Sequence, residues 1–326
     1  MNEKLMSQIN HIKANAVYPL TKFLDMMLHG YQIDNVVFVI EGLKSRRNPD
    51  ELLRTANPLG MFPELHQMKP MGENEDYATL YQNLLIDLPI GLYFRKFLEE
   101  ITEGAASDEN VEIDAKWISE AMDDYSLSQI QLRVRKIWLK EFYKFCTSEL
   151  NGMSAHYMME LLSFESDLMT LQVISNSLSY SGLVDARGRE SGRKKYISNI
   201  GHLYPERMEN LSKVTDFKSL IQAVEFTPYE DMLKQVSVAD NDRNEAEAQG
   251  ATIDEVMLTT ASQKYSMAFE GNFHYGSFYS YLKLKEQEIK NVCWLAELVT
   301  LQVPRNLPGW NKYVAPWAYH VDELPG

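Results

Sequence analysis

Residues 272–303 read NFHYGSFYSYLKLKEQEIKNVCWLAELVTLQV, an aromatic approach that leads into a long helical pattern. At 3.6 residues per turn, Phe278, Leu282, Ile289, Val292, Cys293, Ala296, Val299 and Val303 share one face, with Lys285 inside that stripe. Lys283 projects away from it. Glu286 and Lys290 form a favourably oriented i,i+4 pair on the flank. Beyond Asn291, Trp294, Leu295, Leu298 and Leu301 cover the remaining faces, so the second half is expected to be buried.

Outward from this stretch, most of the chain reads as helix. Helical stretches are expected near 3–29, 77–101, 112–122, 127–150, 154–180, 206–214, 217–224, 252–270 and 276–303. Asn48-Pro49-Asp50-Glu51 and Thr227-Pro228-Tyr229-Glu230 each place a capping side chain before Pro at the first helical position. Thr252-Ile253-Asp254-Glu255 is a capping-box candidate. Period-two patterns are scarce, so the fold class is all-α. Residues 181–195 are basic and Gly-rich, residues 238–249 acidic and poor in apolar side chains, and both read as surface loops. The Pro-rich tail 304–326 cannot continue as helix, and its Trp310, Tyr313, Trp317 and Tyr319 predict packing on something.

A chain of 326 residues that is 45% hydrophobic can bury a sizeable core. The formal net charge of −14 repels phosphate backbones and anionic headgroups, which disfavours nucleic acid and direct lipid binding and suits a basic partner surface. Cys146 and Cys293 both sit in apolar helical patterns and are expected to be reduced and buried, with a disulfide between them left open. The opening residues lack a signal-peptide apolar core, and apolar runs such as 36–40 are far short of the roughly 20 residues that span a bilayer.

Catalytic patterns are missing from the sequence. The seven histidines show no HExxH spacing, there is no CxxC pair and no GxSxG elbow. Residues 188–195, GRESGRKK, have one residue too few between the glycines for a phosphate loop and no Ser or Thr after the lysine. No cofactor or metal is expected. Trp138, Phe142 and Phe145 are assigned to core packing.

The stretch at 272–303 resembles the C-terminal helix of subunit d of the eukaryotic V-type proton-pumping ATPases. The resemblance continues in order through Tyr31–Val37, Asn57–Phe62, Leu80-Tyr81, Asp87–Pro89, Glu141–Cys146, Phe164–Asp167 and Gly201–Glu206. It implies one helical domain over 1–326, a funnel of helices with approximate threefold internal repetition, and a subunit without catalysis. Its implied partners are the proteolipid ring and the central shaft of the ATP-hydrolysing sector, at the cytosolic face of a vacuolar, endosomal or other acidic-organelle membrane. The match begins at what would be an internal helix of the family pattern, and the tail departs from it. A non-rotating helical adaptor or assembly scaffold of the same family is the alternative.

Charges on apolar helix faces are the remaining candidates. A buried unpaired charge is costly, so Glu165 and Lys285 each need an opposite partner or a water-filled space. One reading has Lys285 snorkelling and Glu165 at the edge of its stripe. The other, which the resemblance favours, makes Glu165, Asp167, Lys285, Glu286 and Glu288 a polar inner wall or interface. Leu168 and Met169 stand where relatives commonly carry arginines, which weakens a strictly matched charge network.

Overall fold

Pro19 decides where the first long helical pattern breaks, because a proline has no amide hydrogen for the helical ladder. In the computed structural model, which describes residues 2–67, 88–106, 125–179, 193–236, 252–271 and 273–303, helix α1 (Asn2–Asn15) stops short of it. Helix α2 (Leu20–Lys44) begins just after it. The single helix expected over 3–29 is therefore two helices, and α2 runs on to Lys44. The expected helix at 112–122, the start of that at 77–101, residues 181–192 and 238–249, and the tail 304–326 lie outside the described residues. No β-strand occurs among the described residues, so the fold is all-α.

Contacts divide the chain into two units, residues 1–145 and 146–326. In the first, α2 is buried nearly all round, including Phe23, Ile33, Val36 and Ile40, as expected of a helix apolar on every side. Helices α3 (Pro49–Thr55) and α4 (Gly91–Ala106) and all but the last turn of α5 (Leu127–Glu149) also belong here, with 3-10 turns at Pro58–Gly60 and Pro63–Gln67. The Trp138 indole donates to the Met26 carbonyl at 2.8 Å, and Phe142 packs against Phe23 at 5.5 Å between ring centroids. His29 Nδ1 lies 2.7 Å from the Tyr93 hydroxyl, and burial lowers that imidazole to about 4, which keeps it neutral in the core.

The NPLG segment shows how a short motif fixes a turn. Asn57 accepts from the Leu59 amide, and Asn35 of α2 brackets Asn57, donating to its carbonyl at 2.8 Å and accepting from its amide at 3.0 Å. Gly60 completes the fit, since a Cβ there would fall 2.2 Å from the Tyr31 carbonyl oxygen.

The second unit contains α6 (Gly152–Ser179), α7 (Met208–Ser212), α8 (Phe217–Ala223), α9 (Pro228–Lys234), α10 (Ile253–Glu270) and α11 (Gly276–Thr300). Local chemistry sets the starts. Thr252 and Glu255 form the full capping box, and Thr227 accepts from the Tyr229 amide. Asp216 and Ser219 form a second capping box, with Ser in place of the usual Glu or Gln. Phe164, Leu171, Ile174, Leu203, Leu220, Leu233 and Val256 share one core. The basic loop is not wholly solvated: Arg193 is buried and donates to the carbonyls of Val214 and Ser212, the carbonyl-rich end of α7.

Helix α11 turns inward a different face from the one its periodicity suggests. It buries Gly276, Tyr279, Ser280, Leu282, Leu284, Gln287, Asn291 and Leu298, packing along α10 and also on α6. From Val292 onward the stripe expected in the core faces outward instead, with Val292 43%, Val299 63% and Leu301 74% exposed. Cys293 is exposed rather than buried, Cys146 is buried as expected, and both thiols are free. The chosen face carries Gly276 and Ser280, whose small side chains let helices approach closely, and it brings Tyr279 and Lys283 to α6.

Gly60→Ala is expected to lower stability by about 1–3 kcal/mol, because the clash is with backbone that has no rotamer to yield. Urea denaturation of the two chains measures this.

Candidate functional site

Two acids two residues apart on α6 point to different partners. Glu165 is held from α11. The Tyr279 hydroxyl donates to its Oε2, and Lys283 Nζ lies 2.7 Å from its Oε1, with the paired side chains only 15% and 18% exposed. Lys283 also lies over the Tyr279 ring, 5.2 Å from its centroid. Tyr265 of α10 packs edge-on against Tyr279 at 6.3 Å. Burial, the charges of Glu165 and Glu286, and a hydrogen bond to Glu165 push the Tyr265 phenol well above its ordinary range. Three helices therefore meet at one carboxylate.

Asp167, 1% exposed, clamps the segment 198–203. Its Oδ2 accepts from the His202 amide at 2.8 Å and from the Tyr229 hydroxyl at 2.8 Å, while Oδ1 accepts from the Leu203 amide at 3.3 Å. Neighbours reinforce the grip, since Ser166 donates to the Ile200 carbonyl at 2.8 Å and Thr170 accepts from the Ser198 amide at 3.2 Å. Gly201 makes this approach possible. Its φ of +112° favours glycine, and a Cβ would stand 2.2 Å from Asp167 Oδ1. Burial raises the Asp167 carboxyl above 3.8, opposed by the hydrogen bonds from Tyr229, His202 and Leu203. Its contribution to stability is thus complete below 3.8 and declines as pH rises through the raised value.

The other sequence candidates lie elsewhere on α11. Lys285 sits not in a buried seam but in an i,i+3 pair with Glu288 at 2.5 Å, the side chains 38% and 37% exposed. Glu286 pairs with Lys290 at 3.0 Å, as the spacing predicted. Of the five candidates, Glu165 is the one joined across helices to a lysine, and that lysine is Lys283, the one expected to point away. Periodicity also passed over Tyr265, Tyr279 and Tyr229. Their signal was weak but present: Tyr279 and Lys283 are four residues apart and so share a face.

These groups anchor helices to one another. Among the described residues, no group of three or more His, Cys, Asp or Glu could hold a metal ion, and no helix is long and apolar enough to cross a membrane.

Fold and site together define an all-α scaffold whose inward-facing charges hold helices in place. The family model for the ATP synthase (C/AC39) subunit matches residues 1–308, and the chain belongs to that family. It is 31% identical over 313 residues to the V-type proton ATPase subunit d of Dictyostelium discoideum, covering 95% of this chain and 76% of that protein. Identity to the probable V-type proton ATPase subunit d of Oryza sativa subsp. japonica is 29% over 297 residues, covering 91% of this chain and 74% of the relative. That to the Neurospora crassa V-type proton ATPase subunit d is 28% over 322 residues, covering 96% and 80%.

The geometry reverses the ranking of lysines drawn from the helical wheel. Lys283→Glu is expected to cost about 2–4 kcal/mol by setting two acids together in a half-dry seam. Lys285→Glu is expected to cost about 0.5 kcal/mol, the scale of an exposed pair. Thermal unfolding of both variants checks this order. Asp167→Ala strands two backbone amides and a phenol and is expected to cost about 2–4 kcal/mol, read from the urea midpoint.

Proposed function

We propose that this chain is a d-type subunit of a V-type proton ATPase, a connector without catalysis that rests on the proteolipid ring and receives the central shaft. The observation that carries this reading is similarity to proteins named V-type proton ATPase subunit d along 95%, 91% and 96% of the chain in three relatives. Attachment through those partners puts it at the cytosolic face of an acidic organelle's membrane. In the proposed role it turns with ring and shaft and passes torque between them.

Such a part must bear a definite load. Moving one proton against two pH units and 100 mV costs on the order of 5 kcal/mol, combining roughly 1.4 per pH unit with roughly 2.3 for the potential. An exposed ion pair contributes only about 0–1 kcal/mol, so scattered surface pairs would let the joint slip. Cross-helix anchors suit the load better. The Glu165, Tyr279 and Lys283 junction ties α11 to α6, and the Asp167 clamp ties α6 to the 198–203 segment, so neither element moves without unpairing a buried charge. The pairs Lys285–Glu288 and Glu286–Lys290 are partly exposed on α11 and are proposed as interface charges toward a partner subunit.

Deleting the gene is expected to abolish organelle acidification, and affinity purification of the tagged chain is expected to recover proton-pump sectors. Unchanged acidification, with recovery of trafficking factors alone, would instead establish the adaptor reading. Lys283→Glu is expected to reduce the protons pumped per ATP hydrolysed relative to Lys285→Glu, measured as acidification rate against ATPase rate in purified vesicles.

A further inference from the structure

The turn that joins α8 to α9 holds an aromatic ring where a glycine would be at ease. Phe226 adopts φ +62°, a backbone conformation that bulky side chains avoid, and the residue is 86% exposed. A single apolar side chain at a surface is ordinary. One held there against its own backbone preference is not, because the phenyl ring adds little packing to the fold while the strain of its backbone opposes it.

The turn is nevertheless well fastened. The Phe226 amide donates to Glu230 Oε2 at 2.7 Å, and Lys234 Nζ donates to the other oxygen of that carboxylate at 2.6 Å. The Thr227 hydroxyl donates to the Val224 carbonyl at 2.6 Å, and the Arg207 guanidinium donates to the Glu225 carbonyl at 2.9 Å. Beside Glu230, the buried Tyr229 donates to Asp167, so the turn is mounted on the same clamp that grips 198–203. A ring presented on so constrained a backbone loses little freedom when it is covered, which is the property of a contact anchor.

The charges around the ring decide what can cover it. Lys234 feels the charges of Glu230, Asp231 and Glu225, and the exposed Glu206 stands next to Arg207 in the chain. Four acids thus face two cations, Lys234 and Arg207, each already engaged by a group of this chain. Such a rim repels an anionic headgroup and attracts a basic surface. It also disfavours a second copy of this chain, whose matching turn carries the same acids on a body of net charge −14.

We propose that Phe226 is an anchor that inserts into an apolar socket edged by Lys or Arg on a neighbouring protein subunit. The inference rests on the proposed function, which supplies that neighbour as another subunit of the proton pump. Phe226 contributes the desolvated centre of the contact, and Glu225 and Asp231 contribute its charged edge.

Two variants test this in the full chain. Phe226→Asn suits a positive φ and removes the ring, and Glu225→Lys reverses the charge of the rim. Each tagged chain is purified with the pump, and the fraction that stays bound is followed through washes of rising salt concentration. Both variants are expected to be retained at least about tenfold less than the native chain, the scale of losing a central anchor. The urea midpoint of the purified Phe226→Asn chain is expected to equal or exceed the native one, since the strain is relieved. With p-benzoylphenylalanine at position 226, the photo-adduct is expected on a pump subunit, at a segment that carries Lys or Arg. Equal retention of the native chain and both variants would overturn the proposal, as would an adduct on lipid, on a second copy of the chain, or none. A lowered urea midpoint for Phe226→Asn would overturn it too, by assigning the ring to the fold. Failure of the native chain to recover any pump sectors would instead remove the proposed function, and this inference with it.

Discussion

A carboxylate taken out of water must be given donors, and in this protein two carboxylates on α6 fix α11, the 202–203 backbone and Tyr229 against that helix. Glu165 collects a tyrosine and a lysine from α11, whereas Asp167 collects two backbone amides and the Tyr229 phenol. Leaving such a group unpaired costs far more than the paired arrangement gains, so the partners are constrained in position and not merely attracted. The rotation of α11 about its own axis is a consequence of this constraint, because only one orientation offers Tyr279 and Lys283 to α6.

That requirement also explains the inversion of α11. Its wheel carries two arcs that could face inward, one richly apolar and one mixing Gly276, Ser280, Gln287 and Asn291 with Leu284 and Leu298. Hydrophobic burial alone favours the first by about 25 cal/mol per Å² of apolar surface. The second wins within this unit because it satisfies Glu165, admits a close approach at its small residues, and pairs Gln287 with Asn291 at 2.7 Å. The apolar arc is thereby left facing outward, with Val292, Val299 and Leu301 exposed.

Elsewhere among the described residues, buried polar groups also fasten loops and helix ends. Arg193 holds the end of α7. Arg133 stacks over Phe97 at 4.9 Å and pairs with Glu100 at 3.1 Å. Asn35 fastens the NPLG turn. Each fixes a loop or helix end that would otherwise be free to shift, and close packing carries strain through such a body with little give.

The amino-acid order by itself determined the helices, since α5, α6, α8, α10 and α11 fall within a few residues of the expected spans, and the Thr252 and Thr227 caps form where their side chains announce them. Those are local matters, decided by periodicity and by hydrogen bonds a few residues long. The break at Pro19 was readable in principle, but the apolar pattern on both sides hid it. The choice of Lys283 over Lys285 was not readable at all. It depends on which arc of α11 meets α6, hence on a carboxylate 118 residues away in the chain. The burial of Arg193 within an apparently solvated basic stretch was decided the same way, by carbonyls that only the folded chain brings to it. Periodicity tells which residues share a face, whereas only tertiary packing tells which face is satisfied inside.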